Sequence, residues 1–150
     1  MNLRYVSTTV FLIMMGTILA FSGCGGETER VDADLVISDL EFSIIQDGRL
    51  LYSVKVVGNI RNAGNVDVSD VVIMGNCPSC TPSFKPGEWS LVDFERTDDQ
   101  RDVIRFLGRG ERRNFEFKRL AFYSTGGGYA PPTDLPEELN VYVDSYQVSN

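Results

Sequence analysis

The sequence predicts an all-β protein built as a single antiparallel β-sandwich, and three observations support this fold class. Apolar and polar residues alternate along several segments, most clearly over Arg49–Asn62. A period of two residues is typical of a half-buried strand. Turn residues (Gly, Asn, Asp and Pro) separate roughly six to eight such short segments. No segment beyond the apolar N-terminus has the 3.6-residue period of an amphipathic helix.

The individual strands follow from this alternation and from the turns between them. Asp47-Gly48 is a hairpin signal after the first strand, and Gly108–Gly110 joins the fourth strand to the fifth. The predicted strands are Asp34–Ile45, Arg49–Asn62, Val66–Gly75, Val103–Leu107, Arg112–Tyr123 and Leu139–Ser149. The residues that this pattern places on the inward faces include Leu40, Phe42, Ile44, Leu50, Tyr52, Val54, Val56, Ile60, Val71, Ile73, Phe115, Phe117, Leu139, Val141 and Val143.

Length and charge limit the classes of function. The 150 residues suffice for one ordinary domain plus a short targeting segment. The formal net charge is -7, so the chain is a poor partner for nucleic acid, which is bound by neutralising phosphates. The chain has no histidine, which excludes Ser-His-Asp and Cys-His catalysis and every zinc site that needs histidine. No catalytic constellation, metal site or cofactor site is predicted.

Residues 1–23 have the layout of a secretory signal peptide. Arg4 supplies a positive start, Val6–Phe21 is uncharged, and the small residues Ser22 and Gly23 follow. The alternative is an uncleaved membrane helix. The apolar run is short for that role, because a spanning helix needs about 20 residues.

The motif Phe21-Ser22-Gly23-Cys24 at the end of this segment resembles a bacterial lipobox. The resemblance implies that Cys24 receives a diacylglycerol and becomes the first residue of the mature protein. Residues 24–32, which are polar and rich in glycine, would then form a flexible tether. The expected partner is the membrane, through the lipid on Cys24, and the expected location is the bacterial cell envelope. Gly25 in place of Asp favours the outer membrane in a Gram-negative organism.

Residues 33–150 carry landmarks that resemble the immunoglobulin-like domains of bacterial envelope proteins, of the CARDB and FxLYD types. The first landmark is an Asn-x-Gly turn between two strands, at Asn62 and Gly64. The others are a Gly-Glu turn before an aromatic strand, at Gly110-Glu111, and a Val-Asp near the end, at Val143-Asp144. The resemblance implies an immunoglobulin-like sandwich. The loops Cys77–Trp89 and Gly126–Pro136 are longer than the family pattern, so they are candidates for a binding specificity of this chain.

Cys77-Pro78-Ser79-Cys80 is the one motif that could indicate an enzyme. Thiol oxidoreductases use C-x-x-C with a helix behind the first cysteine, but here Pro82 and Pro86 disfavour a helix. The alternatives are a small structural disulfide, which an oxidising compartment permits, or free thiols or a bound metal. A structural disulfide is the favoured interpretation, and a thiol-disulfide protein is the alternative function.

Two further groups of side chains are candidates for binding. The first is a basic group in the second half of the chain, in which Arg109, Arg112 and Arg113 could contact an acidic envelope polymer or lipid headgroups. Charged residues also protect sheet edges, which is the simpler interpretation. The second group contains Trp89 and Tyr129, whose rings could stack on sugars, although a lone Trp is more often a core anchor.

An acidic group lies between Trp89 and Val103, and carboxylates can bind Ca²⁺. Its members are Asp93, Glu95, Asp98, Asp99 and Asp102. Their spacing matches no known calcium loop, and Arg96 and Arg101 interrupt it, so a solvated loop is the preferred interpretation.

Taken together, these patterns predict a lipid-anchored, non-catalytic module that binds or scaffolds an envelope protein or polymer.

Overall fold

The computed structural model of the chain describes residues 33–91 and 98–149. The predicted signal peptide, Cys24 and the tether lie outside the described residues. Within them the strands are β1 (Leu35–Gln46), β2 (Leu51–Asn62), β3 (Asp67–Asn76), β4 (Trp89–Ser90), β5 (Arg101–Leu107), β6 (Arg112–Phe117), β7 (Phe122–Ser124) and β8 (Asn140–Ser149).

These strands form two antiparallel sheets. The first has the order β1-β2-β7-β4, with β6 also paired to β2, and the second has the order β5-β3-β8. The chain passes from one sheet to the other after β2, β3, β4, β5 and β7. The predicted fold class, an all-β sandwich of antiparallel sheets, is confirmed.

The core lies between the sheets and is built from the alternating residues of each strand. Phe115 and Phe117 have nearly parallel rings with centroids 6.3 Å apart, and both side chains are buried. Burying one such side chain contributes about 1.5–3 kcal/mol. The buried apolar residues are Val54, Val56, Ile60, Val68, Val71, Ile73, Met74, Cys77, Cys80, Leu107, Phe115, Phe117, Leu120 and Ala121.

A bulge in β1 changes which residues of that strand face the core. Asp39 has φ 53°, and the register shifts between Ser38 and Glu41, so two residues of β1 oppose Gly58 alone. An extra residue reverses the alternation. Leu35 and Ile37 before the bulge and Phe42 after it therefore all pack against the core.

The predicted strand Arg112–Tyr123 is wrong as a single element. The structure divides it into β6 and β7, with residues 118–121 leaving the ladder between them. The amides of Lys118 and Arg119 donate instead to the carbonyl of Asp99, which lies in a turn before β5. The ladder is held across the gap by Val54, whose amide donates to Ala121 and whose carbonyl accepts from Leu120.

The sandwich has two poles. The N-terminal pole comprises residues 33–35, 60–68 and 107–113, because Leu35 pairs with Asn62 and Val68 with Leu107. The loop pole comprises residues 46–53, 76–90 and 122–140, because Leu51 pairs with Ser124 and Asn76 with Asn140. A 12-residue strand such as β2 places the poles about 35–40 Å apart.

Candidate functional site

The structure separates the candidate binding residues into two groups at opposite poles. Trp89 and Tyr129 lie at the loop pole, whereas Arg109, Arg112 and Arg113 lie at the N-terminal pole. The five side chains therefore cannot form one site in one copy of the chain.

Cys77 and Cys80 form a disulfide where the chain leaves β3, as predicted. Their Cα atoms are 5.4 Å apart, and the amide of Cys80 donates to the carbonyl of Cys77. Cys77 is fully buried and Cys80 is 8% exposed, and both belong to the core cluster. The residues that follow form a short bridge between Thr81 and Ser90 rather than a helix. The pair therefore fixes the base of the loop and presents little sulfur to solvent.

Hydroxyl groups hold the rest of this loop against the sheet. Ser90 is buried, and its Oγ lies 3.1 Å from Oγ1 of Thr81 and accepts a hydrogen bond from the amide of Lys85. The amide of Gly87 donates to the carbonyl of Ser124 in β7. The loop 77–88 thus has a defined shape set by its own side chains.

Trp89 is a structural anchor as well as a candidate contact residue. Its indole packs against the core and meets the ring of Tyr123 edge to face at 5.5 Å. Its Nε1 donates to the carbonyl of Asp134, 3.0 Å away. Ser79 reinforces the same connection, because its Oγ accepts from the amide of Glu138 at 3.0 Å. Trp89 therefore attaches the loop 125–139 to the disulfide loop.

Tyr129 lies over Gly87 and leaves half of its side chain exposed. A Cβ atom on Gly87 would fall 2.5 Å from Cδ1 of Tyr129, so only glycine leaves room for the ring. Gly87 also has φ +84°, a conformation that favours glycine. Tyr129 itself is 54% exposed. Its ring is thus packed on one side and available to a partner on the other.

A cleft of about 370 Å³ opens beside Trp89 at this pole. It is lined by the aromatic residues Trp89 and Tyr123 and by polar residues that include Thr81, Glu88 and Glu137. Glu88 is paired with Lys85. Flat rings beside hydroxyl and carboxylate oxygens suit a sugar ring or a polar peptide side chain, since both need an apolar surface and hydrogen-bond partners.

The three candidate arginines at the N-terminal pole each have a carboxylate partner. Arg113 lies 2.6 Å from Glu111. Arg109 lies 3.5 Å from Asp67, and Arg112 lies 3.7 Å from Asp39. The pairs are exposed, and exposed pairs of this kind contribute about 0–1 kcal/mol each. Positive and negative charges therefore alternate over this surface, and it is not a purely basic patch.

A second, apolar cleft was not predicted from the sequence. It measures about 320 Å³ and is lined by Phe84, Phe122 and Leu51. The Phe84 and Phe122 rings stack with centroids 5.6 Å apart. Phe84 comes from the disulfide loop and Phe122 from β7, so the cleft depends on how the loop folds back over the sheet. Sequence spacing alone cannot reveal such a contact.

One wall of this apolar cleft is an ion pair. Nε of Arg119 lies 2.6 Å from Oδ2 of Asp47, and Nη1 of Arg119 lies 3.3 Å from Asp99. Oγ of Ser53 also donates to Asp47. The hydrogen bond from Arg119 is the main reason that the pKa of Asp47 falls below its usual value of 3.8. The pair therefore contributes most to stability when Asp47 is ionised.

The acidic group considered as a calcium loop is only partly described. Asp93 and Glu95 lie outside the described residues. Asp99 pairs with Arg119, and Oδ2 of Asp102 accepts a hydrogen bond from the amide of Glu116. Residues 33–91 and 98–149 contain no group of three or more His, Cys, Asp or Glu side chains that could hold a metal ion. In the same two ranges, no helix is long and apolar enough to span a membrane.

Comparison with known proteins adds no relative. Neither a protein-family model, nor a curated protein, nor a solved structure matches this chain.

Proposed function

We propose that this protein is a lipid-anchored, non-catalytic binding module of the bacterial cell envelope, which contacts an envelope protein or polymer through its loop pole. The signal-peptide layout and the lipobox-like motif at Cys24 support the anchor. The resemblance of residues 33–150 to CARDB-type domains supports a binding role. The observation that carries the proposal is the separation of the poles: residue 33 lies at one pole, and the cleft beside Trp89 lies at the other.

The length of the tether makes this separation useful. The tether, residues 24–32, has nine residues including Cys24, so it can extend at most about 30 Å. The N-terminal pole, where residue 33 enters, would stay close to the lipid surface. The loop pole would stand about 35–40 Å farther away when the strands are upright. Trp89 and Tyr129 would then face the envelope space.

The anchor is tested by replacing Cys24 with serine in intact cells. We expect the Cys24→Ser protein to incorporate no labelled palmitate and to keep its signal peptide. The matched control is the double variant Cys77→Ala/Cys80→Ala, which removes the other cysteines and should be lipidated normally. Normal processing and membrane retention of Cys24→Ser would refute the lipid anchor.

The binding surface is tested by a photoreactive phenylalanine analogue at single positions in otherwise intact cells. We expect the analogue at Tyr129 to crosslink to an envelope component. The control places the same analogue at Arg113, a similarly exposed position of the N-terminal pole. Equal crosslinking from both positions, or crosslinking from Arg113 alone, would contradict a contact through the loop pole.

The alternative is a thiol-disulfide protein that uses Cys77 and Cys80. The burial of both residues argues against it, because exchange requires a thiolate to reach the disulfide. Measuring the reduction potential of the pair decides between the two functions. A value below about -300 mV would mark a structural disulfide, whereas one near the potentials of oxidoreductases would favour redox activity.

A further inference from the structure

We infer that the free edge of β8 binds an extended, basic segment of a partner protein, which adds a strand to the second sheet. This inference goes beyond the proposed function, because it assigns a different surface and a class of partner. It requires neither the lipid anchor nor the cleft beside Trp89. A negative result for β8 would therefore not count against the lipid anchor or the cleft beside Trp89.

The strand β8 lies at the edge of the second sheet with one side unpaired. It pairs with β3 from Asp67↔Ser149 to Asn76↔Asn140, and no other described strand pairs with it. Seven of its ten residues are exposed. Every second residue of an edge strand directs its backbone N–H and C=O groups outward. This edge is therefore a template for another extended chain.

The other long edges are protected by charge, and β8 is not. Charged side chains repel an incoming strand and are a common defence of sheet edges. The edge strands with two or three charged residues are β1 with Asp39 and Glu41, β5 with Arg101, Asp102 and Arg105, and β6 with Arg112, Arg113 and Glu116. In contrast, β8 has ten residues, contains no Pro, Lys or Arg, and carries one charged residue, Asp144.

The side chains of β8 suit strand pairing. Tyr142, Tyr146 and Val148 are 37%, 43% and 41% exposed, and aromatic and β-branched residues form favourable cross-strand pairs. The register with β3 shifts on both sides of Ser145, so regular pairing covers residues 140–143 and 147–149. The longer regular segment is 140–143, and the ten residues of β8 together are long enough for several backbone hydrogen bonds to a partner.

Charge points to a basic partner rather than to a second copy of this chain. No Lys or Arg follows Arg119 in the sequence, whereas Asp134, Glu137, Glu138 and Asp144 do. An incoming strand with Lys or Arg would meet an acidic surface. A second copy would bring its own acidic residues to the same edge, and the net charge of -7 would oppose that approach.

Capped ten-residue peptides test the inference with the full-length protein in detergent. The probe alternates Val and Lys, and a matched peptide alternates Val and Glu. We expect the Lys peptide to bind at least tenfold more tightly than the Glu peptide. Two further Lys peptides carry N-methyl groups on alternate residues, one at the Val positions and one at the Lys positions. Strand pairing uses the backbone N–H groups of one edge of the peptide, and N-methylation removes the donors of a single edge. One methylated peptide should therefore lose at least tenfold in affinity, and the other should bind as tightly as the unmethylated Lys peptide.

Substitution on β8 locates the site. We expect Gln147→Lys to lower the affinity for the Lys peptide at least fivefold, because the substitution puts a positive charge on the edge of β8. The control is Val103→Lys on β5, an exposed position of the same sheet, which should bind as the unchanged protein does. Equal binding of both methylated peptides, or unchanged binding by Gln147→Lys, would overturn the inference. A dimer of the peptide-free protein that Gln147→Lys dissociates would also overturn it, by assigning the edge to a second copy.

Discussion

At the N-terminal pole one buried side chain ties the turns together, whereas at the loop pole the same task is divided among a disulfide, hydroxyl groups and ring contacts. Asn62 is fully buried, and its amide group reaches the carbonyls of Val66 and Leu107 at 2.7 and 3.2 Å. Its Oδ1 accepts from the amide of Gly64. The loop pole uses covalent and packing contacts because its loops are long and leave the sheet.

This difference suggests a division of labour between the poles. In short turns that surround a buried amide group, few exposed side chains can be substituted without loss of stability. Long loops fixed at a few points can change their exposed residues while the anchors remain. The loop pole therefore has more freedom to acquire a binding specificity.

The largest loss in the free energy of unfolding is expected from Asn62→Ala. The substitution removes three hydrogen bonds and leaves their backbone partners unsatisfied at a buried site, which should cost about 3 kcal/mol of the free energy of unfolding. Urea denaturation measures the loss. Asn59→Ala on the same strand is the control, because Asn59 makes an exposed hydrogen bond to Asp39 and its loss should cost less than about 0.5 kcal/mol. Similar losses in both variants would show that Asn62 has no special role.

Removing the disulfide should have the next largest effect. The chain-entropy estimate for so small a loop is about 2 kcal/mol, which Cys77→Ala/Cys80→Ala should lose in the same assay. Reducing the unchanged protein provides an independent comparison. If the double variant is as stable as the oxidised protein, the loop pole is held by its hydroxyl and ring contacts alone.

Glycine substitutions compare the poles directly. Gly87 and Gly110 both have positive φ, but only Gly87 has a side chain over it, since a Cβ at Gly110 would meet nothing within 4 Å. We expect Gly110→Ala to cost about 1 kcal/mol from backbone strain alone, and Gly87→Ala about 1.5 kcal/mol. In a background that carries Tyr129→Ala, the cost of Gly87→Ala should fall towards that of Gly110→Ala. Equal costs at the two glycines would mean that the ring moves away freely.

The smallest effect is expected for the ion pair between Asp47 and Arg119. The folded-state pKa of Asp47 is depressed, so its contribution is full above the unfolded value of 3.8 and is lost as the pH falls through the folded value. The side chains are 31% and 40% exposed, which limits the contribution to about 0.5 kcal/mol. Asp47→Asn should therefore be less stable than the unchanged protein at neutral pH, and the difference should vanish in acid. A difference that persists in acid would contradict this account.

Local patterns in the sequence predict much of the fold. The alternation in β2 correctly places Val54, Val56 and Ile60 in the core, and the short spacing of Cys77 and Cys80 correctly predicts their disulfide. These features depend on neighbouring residues. The alternation fails at Leu50, which was expected on the same face and is 51% exposed, because β2 begins only after it.

The features that sequence patterns miss depend on distant contacts. Nothing local marks Asp39 as the left-handed residue of a bulge, although aspartate tolerates that conformation better than most residues. The break between β6 and β7 depends on Asp99, which is far away in the sequence. For the same reason, the assignment of Trp89 and Arg113 to opposite poles required the strand register.

The position of Asn62 has a consequence for how the molecule opens. Besides its side-chain contacts, its amide donates to the carbonyl of Glu111 and its carbonyl accepts from Gly110. One residue thus joins the turn after β2 to the turn between β5 and β6. Neither turn can detach without exposing the buried amide group. The backbone amides of Gly64 and Gly110, 46 positions apart in the sequence, should therefore exchange with deuterated solvent in a single cooperative event.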